Sequence, residues 1–213
     1  KDKFIHIVSC NTHNIAVLIK TLAMDGGKNH LKEGKFLCIR RSNDVSQVKG
    51  FVPAPHVGTH TDEAMGTHHA RDVYHLYKTM DTELNVFSSA LKLNTQYMHS
   101  IWYDLKVDTK TSKEEAIQKF IDNPRVSVTQ KTDSNLVFSF GRDHGHYGRI
   151  LNQTVAVLPT VHVKDENEII GFCFTPQDGN SILSSISQTE RFIYPETYEE
   201  NLKALGPFLL QEV

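Results

Sequence analysis

The hydrophobic pattern of the first part of the chain changes period at Cys10. Apolar and β-branched residues dominate positions 4–8, and this run predicts a short strand that ends at Ser9. After Cys10 the apolar residues recur at the spacing of one helix face, namely Ile15, Leu18, Ile19 and Leu22. Cys10 is therefore predicted to lie where a strand turns into a helix.

The rest of the chain alternates between strand-like and helix-like patterns. Strands are predicted at residues 35–40, 85–94, 97–107, 125–129, 136–140, 154–163 and 168–174. Further helices are predicted at residues 69–80, 112–123, 178–187 and 198–211, and a long loop with repeated glycine and proline at 42–67. This order predicts an α+β fold, with a mostly antiparallel or mixed sheet and helices packed on one face.

Composition limits the classes of function. The chain has 213 residues and a net charge of −2, which argues against a general nucleic-acid or membrane-surface role. No apolar run approaches the roughly 20 residues that span a bilayer, and the first residues do not resemble a signal peptide. The three cysteines are widely spaced and odd in number, which favours a reduced, cytoplasmic compartment over a disulfide scaffold.

The position of Cys10 suggests chemistry. Backbone N–H groups are unpaired at a helix N-terminus, and the helix dipole favours negative charge there. Such an environment is expected to lower the pKa of a thiol and to favour the nucleophilic thiolate. The alternative is a buried cysteine that packs as a small apolar residue.

A cysteine nucleophile needs a base and a site that holds the substrate. His99, on a predicted strand, is the candidate base, and the alternative is a structural histidine. Cations that could bind a phosphate group stand at strand ends or at a helix start, and they are Arg40, Arg41, His68, His69 and Lys92. For the two arginines the alternative is a solvated strand end. A thiol, an imidazole and several cations together suit a substrate that is both electrophilic and phosphorylated.

Metal binding is the rival interpretation of the histidines. Zinc binds imidazole readily, and His56, His60, His68 and His69 fall within one short stretch. Their spacing matches no ligand pattern that we can name, and no cysteine pair accompanies them. We therefore expect no metal site.

Several motifs resemble those of the catalytic domain of archaeal-type glyceraldehyde-3-phosphate dehydrogenase. Ser9-Cys10-Asn11-Thr12 resembles the Ser-Cys-Asn-Thr sequence at the nucleophile of that family. Further resemblances follow in the same order along nearly the whole chain, at residues 39–44, 68–73, 92–99, 188–190 and 195–196. The sequence departs from the family at Ala70-Arg71, where the family has Gly-Pro, and at residues 58–66, which look like an insertion.

The resemblance implies a mechanism. The Cys10 thiolate attacks an aldehyde, His99 takes the hydroxyl proton as hydride leaves for NAD or NADP, and inorganic phosphate converts the resulting thioester into an acyl phosphate. Asn11 is assigned to the cofactor by the resemblance. The residues that the resemblance assigns to substrate or phosphate are Thr12, Arg40, Arg41, His68, His69 and Lys92.

The resemblance also implies a glycolytic homo-oligomer, a homotetramer, with a phosphorylated small-molecule substrate. Residues 1–213 are then expected to form a single catalytic domain that lacks the N-terminal dinucleotide-binding domain, because no Gly-x-Gly-x-x-Gly occurs here. Such a chain is expected to be inactive alone. Two alternatives stay open: a related dehydrogenase for another phosphorylated or acidic aldehyde, and a non-catalytic dimerisation domain of the same fold.

Overall fold

The computed structural model describes residues 4–43, 50 and 52–213. In this part of the chain the helices are α1 (Cys10–Ala23), α2 (His68–Lys78), α3 (Lys113–Asp122), α4 (Ser134–His144), α5 (Gly179–Ile193) and α6 (Tyr198–Leu202). The strands are β1 (Met24–Asp25), β2 (Lys28–Asn29), β3 (Leu31–Arg40), β4 (His56–Val57), β5 (Val86–Lys92), β6 (His99–Val107), β7 (Val126–Thr129), β8 (Thr154–Val157), β9 (His162–Lys164) and β10 (Glu168–Thr175). The predicted α+β fold with a mixed sheet is confirmed.

The main sheet has the strand order β4-β5-β3-β6-β10-β8-β7, and β9 pairs with β10. Strand β3 is parallel to β5, so their last residues, Arg40 and Lys92, are register partners. Strand β6 is antiparallel to β10, so the first residue of one, His99, pairs with the last residue of the other, Thr175. The topology therefore brings four polar side chains from four strands to one end of the sheet.

Helices α1, α2 and α3 pack on one face of this sheet. Successive strand residues point to opposite faces, and on β6 the residues of this face are Ile101, Tyr103 and Leu105, all 0% exposed. They join the apolar residues of α1, including Ile15 and Leu18, in the larger hydrophobic cluster. The predicted apolar stripe of α1 is thus the central contact of the core.

A smaller cluster lies on the opposite face, at the β8 end of the sheet. Val155 and Val157 of β8 pack there, whereas Ala156 between them faces the larger cluster. Val137 of α4 and Val213 at the chain end complete this smaller cluster. Burial on both faces explains why all four residues of β8 are buried.

The predicted strand before Cys10 is wrong. Residues 4–9 form no strand, and the side chain of Phe4 is 92% exposed. No strand in the described part of the chain pairs with this segment. An apolar, β-branched run favours the strand conformation, but it forms a strand only where a neighbouring strand supplies hydrogen bonds.

The predicted strand at residues 136–140 is also wrong, because these residues lie in α4. Val137 and Gly141, four positions apart, are the buried residues of this helix, whereas Leu136 is 49% exposed. Helical spacing therefore governs the segment, and a short apolar run could not reveal it.

Other elements match their predictions with shifted ends. The first helix ends before Gly26 and Gly27, whose positive φ angles form the β1–β2 turn. The predicted loop at 42–67 includes β4, and residues 44–49 and 51 lie outside the described residues. The last predicted helix is short, since a 3₁₀ segment, Lys203–Phe208, replaces its second half. None of the helices in the described ranges is long and apolar enough to cross a membrane.

Candidate active site at the N-terminus of helix α1

Helix α1 begins at Cys10, and its first turn is firmly held. Ser9 is the N-cap, and its Oγ accepts a hydrogen bond from the backbone N–H of Thr12 at 3.3 Å. The carbonyl oxygen of Cys10 accepts a hydrogen bond from Nδ2 of Asn180, on α5, at 2.9 Å. The backbone is thus fixed around a thiol that stands at the positive end of the helix dipole.

The three cysteines differ in accessibility. Cys10 is partly exposed, whereas Cys38 and Cys173 are both 0% exposed. Burial raises the pKa of the Cys38 thiol far above its usual range, and it raises the pKa of Cys173 to about 12. The two buried thiols therefore stay protonated at neutral pH, which leaves Cys10 as the candidate nucleophile.

His99 lies on the same face of the sheet as α1, as a base near Cys10 requires. Its side chain is 6% exposed, and Nδ1 accepts a hydrogen bond from the backbone N–H of Arg41 at 3.0 Å. Because a backbone N–H can only donate, Nδ1 is unprotonated here and the neutral ring carries its proton on Nε2. In this state His99 can donate a hydrogen bond to an anion from Nε2.

A group of cations borders the same end of the sheet. The exposed Arg40 and its register partner Lys92 both point to the helix-covered face of their strands. His68, at the first position of α2, is also exposed. Burial lowers the pKa of His68, Asp72 raises it, and Arg40 and Arg71 lower it further. Arg40 and His68 are exposed and Lys92 is half-buried, so an anionic ligand can reach this group.

His69 differs from its neighbour in burial. It is 3% exposed, and burial lowers its pKa to about 3, with further lowering by His68, Arg40 and His99. His68, Arg40 and His99 are thus the titratable groups close enough to affect the His69 ring. A neutral, buried imidazole is poorly suited to bind phosphate, so a positioning role fits His69 better than the phosphate role predicted from the sequence.

Arg41 is buried, in contrast to the exposed Arg40. Its side chain is 7% exposed, and Nη1 donates a hydrogen bond to the carbonyl oxygen of Tyr97 at 3.0 Å. It lines a cavity of about 200 Å³ with Tyr97, Phe138 and Gln177, among others. The structure thus brings Arg40, His68 and His69 together. Arg41 also lines a second cavity, of about 520 Å³, together with Arg40 and Thr95.

Asn11 and Thr12, which the resemblance assigns to cofactor and substrate, are 2% and 0% exposed. The Asn11 amide contacts Thr175 and His69, and Oγ1 of Thr12 lies 2.8 Å from Oγ of Ser9. Both side chains therefore hold the first turn of α1 in place and have little surface to offer a ligand.

Sequence reasoning missed the buried partners of this turn, which are Asn14, Thr175 and Asn180, each 0% exposed. The sequence did contain a signal for Asn14, because this polar residue lies beside the predicted apolar face of α1. A buried amide needs hydrogen-bond partners. No local signal marks Thr175 or Asn180, which are distant in sequence.

The histidines of the stretch 56–69 lie on both faces of the sheet in the structure. Within the described ranges, no group of three or more His, Cys, Asp or Glu residues is arranged to hold a metal ion. Nε2 of His60 lies 2.9 Å from Oγ of Ser89, whereas His69 connects through Thr67 to Ser88. Ser88 and Ser89 point to opposite faces of β5, so these two histidines lie on different sides of the sheet.

Comparisons with known proteins agree with the sequence motifs. No protein-family model matches the chain. Glyceraldehyde-3-phosphate dehydrogenase of Sulfolobus acidocaldarius is 27% identical over 172 residues, which cover 78% of this chain and 47% of that protein. The enzymes of the same name from Methanocaldococcus jannaschii and Pyrobaculum calidifontis are 23% and 25% identical, and the matches cover 95% and 96% of this chain and 57% and 54% of those proteins.

The chain spans about half the length of the curated relatives that it matches. The matched region includes most of the chain and is shared by several archaeal proteins of one name. The sequence motifs, the mixed α+β sheet and these similarities together support a domain of the glyceraldehyde-3-phosphate dehydrogenase type.

Proposed function

We propose that this chain is the catalytic domain of a phosphorylating aldehyde dehydrogenase that acts on glyceraldehyde 3-phosphate through a thioester on Cys10. The observation that carries the proposal is the position of Cys10, the partly exposed one of three thiols, at the capped N-terminus of α1. The cations Arg40 and Lys92 end the paired strands β3 and β5. His99 begins the neighbouring strand β6. The site thus combines a nucleophile, an anion-binding region and a hydrogen-bond donor.

In this proposal the Cys10 thiolate forms a bond to the carbonyl carbon of the aldehyde, and the carbonyl oxygen gains the negative charge. The Nε2–H of His99 donates a hydrogen bond to that oxygen. A role as a base, predicted from the sequence, requires His99 to release the Nε2 proton or to give up the hydrogen bond between Nδ1 and Arg41. Arg40, Lys92 and His68 bind the phosphate of the substrate or the attacking phosphate.

The oxidation step depends on NAD or NADP, which in this family accepts a hydride. Asn11 does not fit direct contact with the cofactor, since it is 2% exposed and its amide contacts Thr175 and His69. In our proposal the dinucleotide is bound by another part of a longer protein, and this chain alone does not oxidise glyceraldehyde 3-phosphate.

The second half-reaction can be tested on this chain without a cofactor. Inorganic phosphate attacks the thioester carbonyl, the C–S bond breaks, and an acyl phosphate and the Cys10 thiolate are released. The reverse reaction transfers an acyl group from an acyl phosphate to Cys10 and releases inorganic phosphate. It needs neither an oxidant nor a reductant.

Acetyl phosphate is the probe. We expect mass spectrometry to find one acetyl group on Cys10, removable by hydroxylamine, and none on Cys38 or Cys173. The matched variants are C10S, which should take up no label, and R40Q, which should be acylated more slowly. The absence of an adduct in the folded chain would overturn the proposed acyl transfer and favour a non-catalytic dimerisation domain.

The homo-oligomer, the glycolytic role and the triose phosphate substrate remain proposals for the whole protein. A related dehydrogenase for another acidic aldehyde is the alternative. In the complete protein, R40Q should raise the KM of glyceraldehyde 3-phosphate strongly and that of an unphosphorylated aldehyde little. Equal effects on both aldehydes would contradict the assignment of Arg40 to the substrate phosphate.

A further inference from the structure

Buried polar side chains form a continuous hydrogen-bonded chain beneath the candidate site. The Cys173 thiol donates to Oδ1 of Asn14 at 3.3 Å, and Nδ2 of Asn14 donates to Oγ1 of Thr175 at 2.8 Å. Thr175 donates to Oδ1 of Asn11 at 3.1 Å, and Nδ2 of Asn11 lies 3.4 Å from Nε2 of His69. This series of hydrogen bonds joins β10, α1 and α2, three elements that are remote in sequence.

The far side of the His69 ring is also held. Nδ1 of His69 lies 3.0 Å from Oγ1 of Thr67, whose hydroxyl lies 2.6 Å from Oγ of Ser88. Oγ of Ser88 accepts a hydrogen bond from the backbone N–H of Ala70 at 3.0 Å. Both ring nitrogens of His69 therefore have partners inside the protein.

The Thr175 hydroxyl determines which groups donate and which accept in this series of hydrogen bonds. Its hydroxyl has one proton, and because it accepts from Asn14, that proton is available for Oδ1 of Asn11. If the Asn11 amide were flipped, its Nδ2 would also donate to Thr175, and the hydroxyl proton would lose this acceptor. Thr175 is 0% exposed, so the loss would be costly.

The orientation of Asn11 in turn sets the state of His69. The Nδ2 group of an amide can only donate, so Nε2 of His69 must accept. The proton of the neutral ring is then on Nδ1 and is donated to Thr67. We propose that Thr175 is a positioning residue, which acts through Asn11 to hold His69 in its Nδ1–H tautomer against the turn that carries Cys10.

This orientation has a consequence that rests on the proposed function. With its Nε2 lone pair engaged by Asn11 and its Nδ1–H by Thr67, His69 can neither bind phosphate as a cation nor act as the base that attacks substrate protons. Charge for an anionic substrate then comes from Arg40 and Lys92, while the exposed His68, whose pKa burial lowers, can offer a hydrogen bond. His69 instead joins the N-terminus of α2 to the turn that carries Cys10.

The test is nitrogen-15 NMR of the histidine rings in the folded 213-residue chain. In the parent we expect a one-bond proton coupling at Nδ1 of His69 and none at Nε2. In T175V the Asn11 amide is free to flip, and the proton should move to Nε2 in a large fraction of molecules. T175S keeps the hydroxyl and should restore the parent spectrum.

Two further variants make the result decisive. N11D replaces the donor that faces His69 with an acceptor of the same shape, and it should place the proton on Nε2 even if T175V does not fold. T129V removes a hydroxyl that is 1% exposed and bonds to the carbonyl oxygen of Val213, so it should leave His69 unchanged. An Nε2–H tautomer in the parent, or an unchanged tautomer in folded N11D or T175V, would overturn the proposal.

This outcome is independent of the acylation of Cys10. A parent chain with the expected tautomer but no acetyl adduct would contradict the proposed function alone. Acylation together with an Nε2–H tautomer would contradict only the role of Thr175.

Discussion

The two halves of helix α1 are buried to a similar extent but differ in chemistry. The first half has Asn11, Thr12 and Asn14, each 2% exposed or less. The second half has the apolar residues Leu18 and Ile19, both 0% exposed, together with Leu22. One helix thus contains a polar, hydrogen-bonded end beside the candidate nucleophile and an apolar end in the larger hydrophobic cluster.

The apolar and polar halves of α1 are expected to serve different purposes, stability and positioning. Burying an apolar side chain such as Leu18 contributes about 1.5–3 kcal/mol, whereas a satisfied hydrogen bond contributes a net of about 1 kcal/mol. Hydrogen bonds are directional, however, so the polar half can fix the angle of one side chain. We infer that the apolar half supplies most of the free energy of folding and that the polar half holds Cys10 in a defined geometry.

The largest expected effect is a loss of Cys10 acylation with little change in the free energy of unfolding. C10S should abolish acylation by acetyl phosphate, because a serine hydroxyl is not ionised at neutral pH, and should change the free energy of unfolding by only about 0.5 kcal/mol. Mass spectrometry and urea denaturation measure the two quantities. A large loss of stability in C10S would show that the thiol belongs to the core, and the distinction between the two halves would fail.

The opposite effect is expected in the apolar half. L18A should lower the free energy of unfolding by about 2–5 kcal/mol, since it leaves a cavity beneath the sheet. Acylation of Cys10 in the folded fraction should continue. The control is I182A on α5, where the side chain is 41% exposed and the loss should be small.

A smaller effect concerns pH. The pKa of His69 is lowered from 6.5 to about 3 by burial, and that of His13 to about 4 by burial. Below pH 6.5 the two histidines bind protons in the unfolded chain but stay neutral in the folded chain. The free energy of unfolding is therefore highest above pH 6.5 and falls as the pH decreases towards these pKa values. Each such histidine contributes a slope of up to about 1.4 kcal/mol per pH unit.

H69Q should therefore flatten the dependence of the free energy of unfolding on pH between 4 and 6.5. The range above pH 6.5 offers the control, because the His69 ring binds no proton there in either state and the two slopes should agree. Urea midpoints at several pH values give the measurement. A slope in H69Q equal to that of the parent would mean that His69 is protonated in the folded state, contrary to its burial.

The smallest expected effect compares two helix caps. S9A and S112A each remove an N-cap serine, from α1 and α3, and each should cost about 1 kcal/mol of stability. S9A alone should slow the alkylation of Cys10, since it loosens the turn that carries the thiol. Equal alkylation rates in both variants would show that the cap of α1 has no role in positioning Cys10.

Local patterns predicted the elements whose causes are local. The apolar stripe identified α1, and Ser112 with Glu115 identified the start of α3, where both hydrogen bonds of the capping box are present. The strand predicted at 4–9 is wrong because strand formation depends on a distant partner. The same reason hid Thr175, which contacts Asn11 across 164 positions of sequence and which no nearby residue could indicate.

The cations illustrate the same limit within the site. Adjacent arginines at a strand end predicted a shared phosphate site. In the structure Arg40 is exposed, whereas Arg41 is buried and bonds to the carbonyl oxygen of Tyr97. Both arginines still line one cavity of about 520 Å³. The sequence pair therefore indicated a common location but not the difference in burial between the two side chains. The division of roles between His68 and His69 likewise depends on burial, which the sequence does not display.

The most direct test of the account is the rate of thiol alkylation by iodoacetamide at neutral pH in the folded chain. We expect fast modification of Cys10 and no modification of Cys38 and Cys173 until the chain unfolds, since burial raises the pKa of both of these thiols. Peptide mass spectrometry after timed quenching resolves the three sites. Equal labelling of all three cysteines in the folded chain, or a Cys10 no faster than a free thiol, would contradict the assignment of Cys10 as the nucleophile.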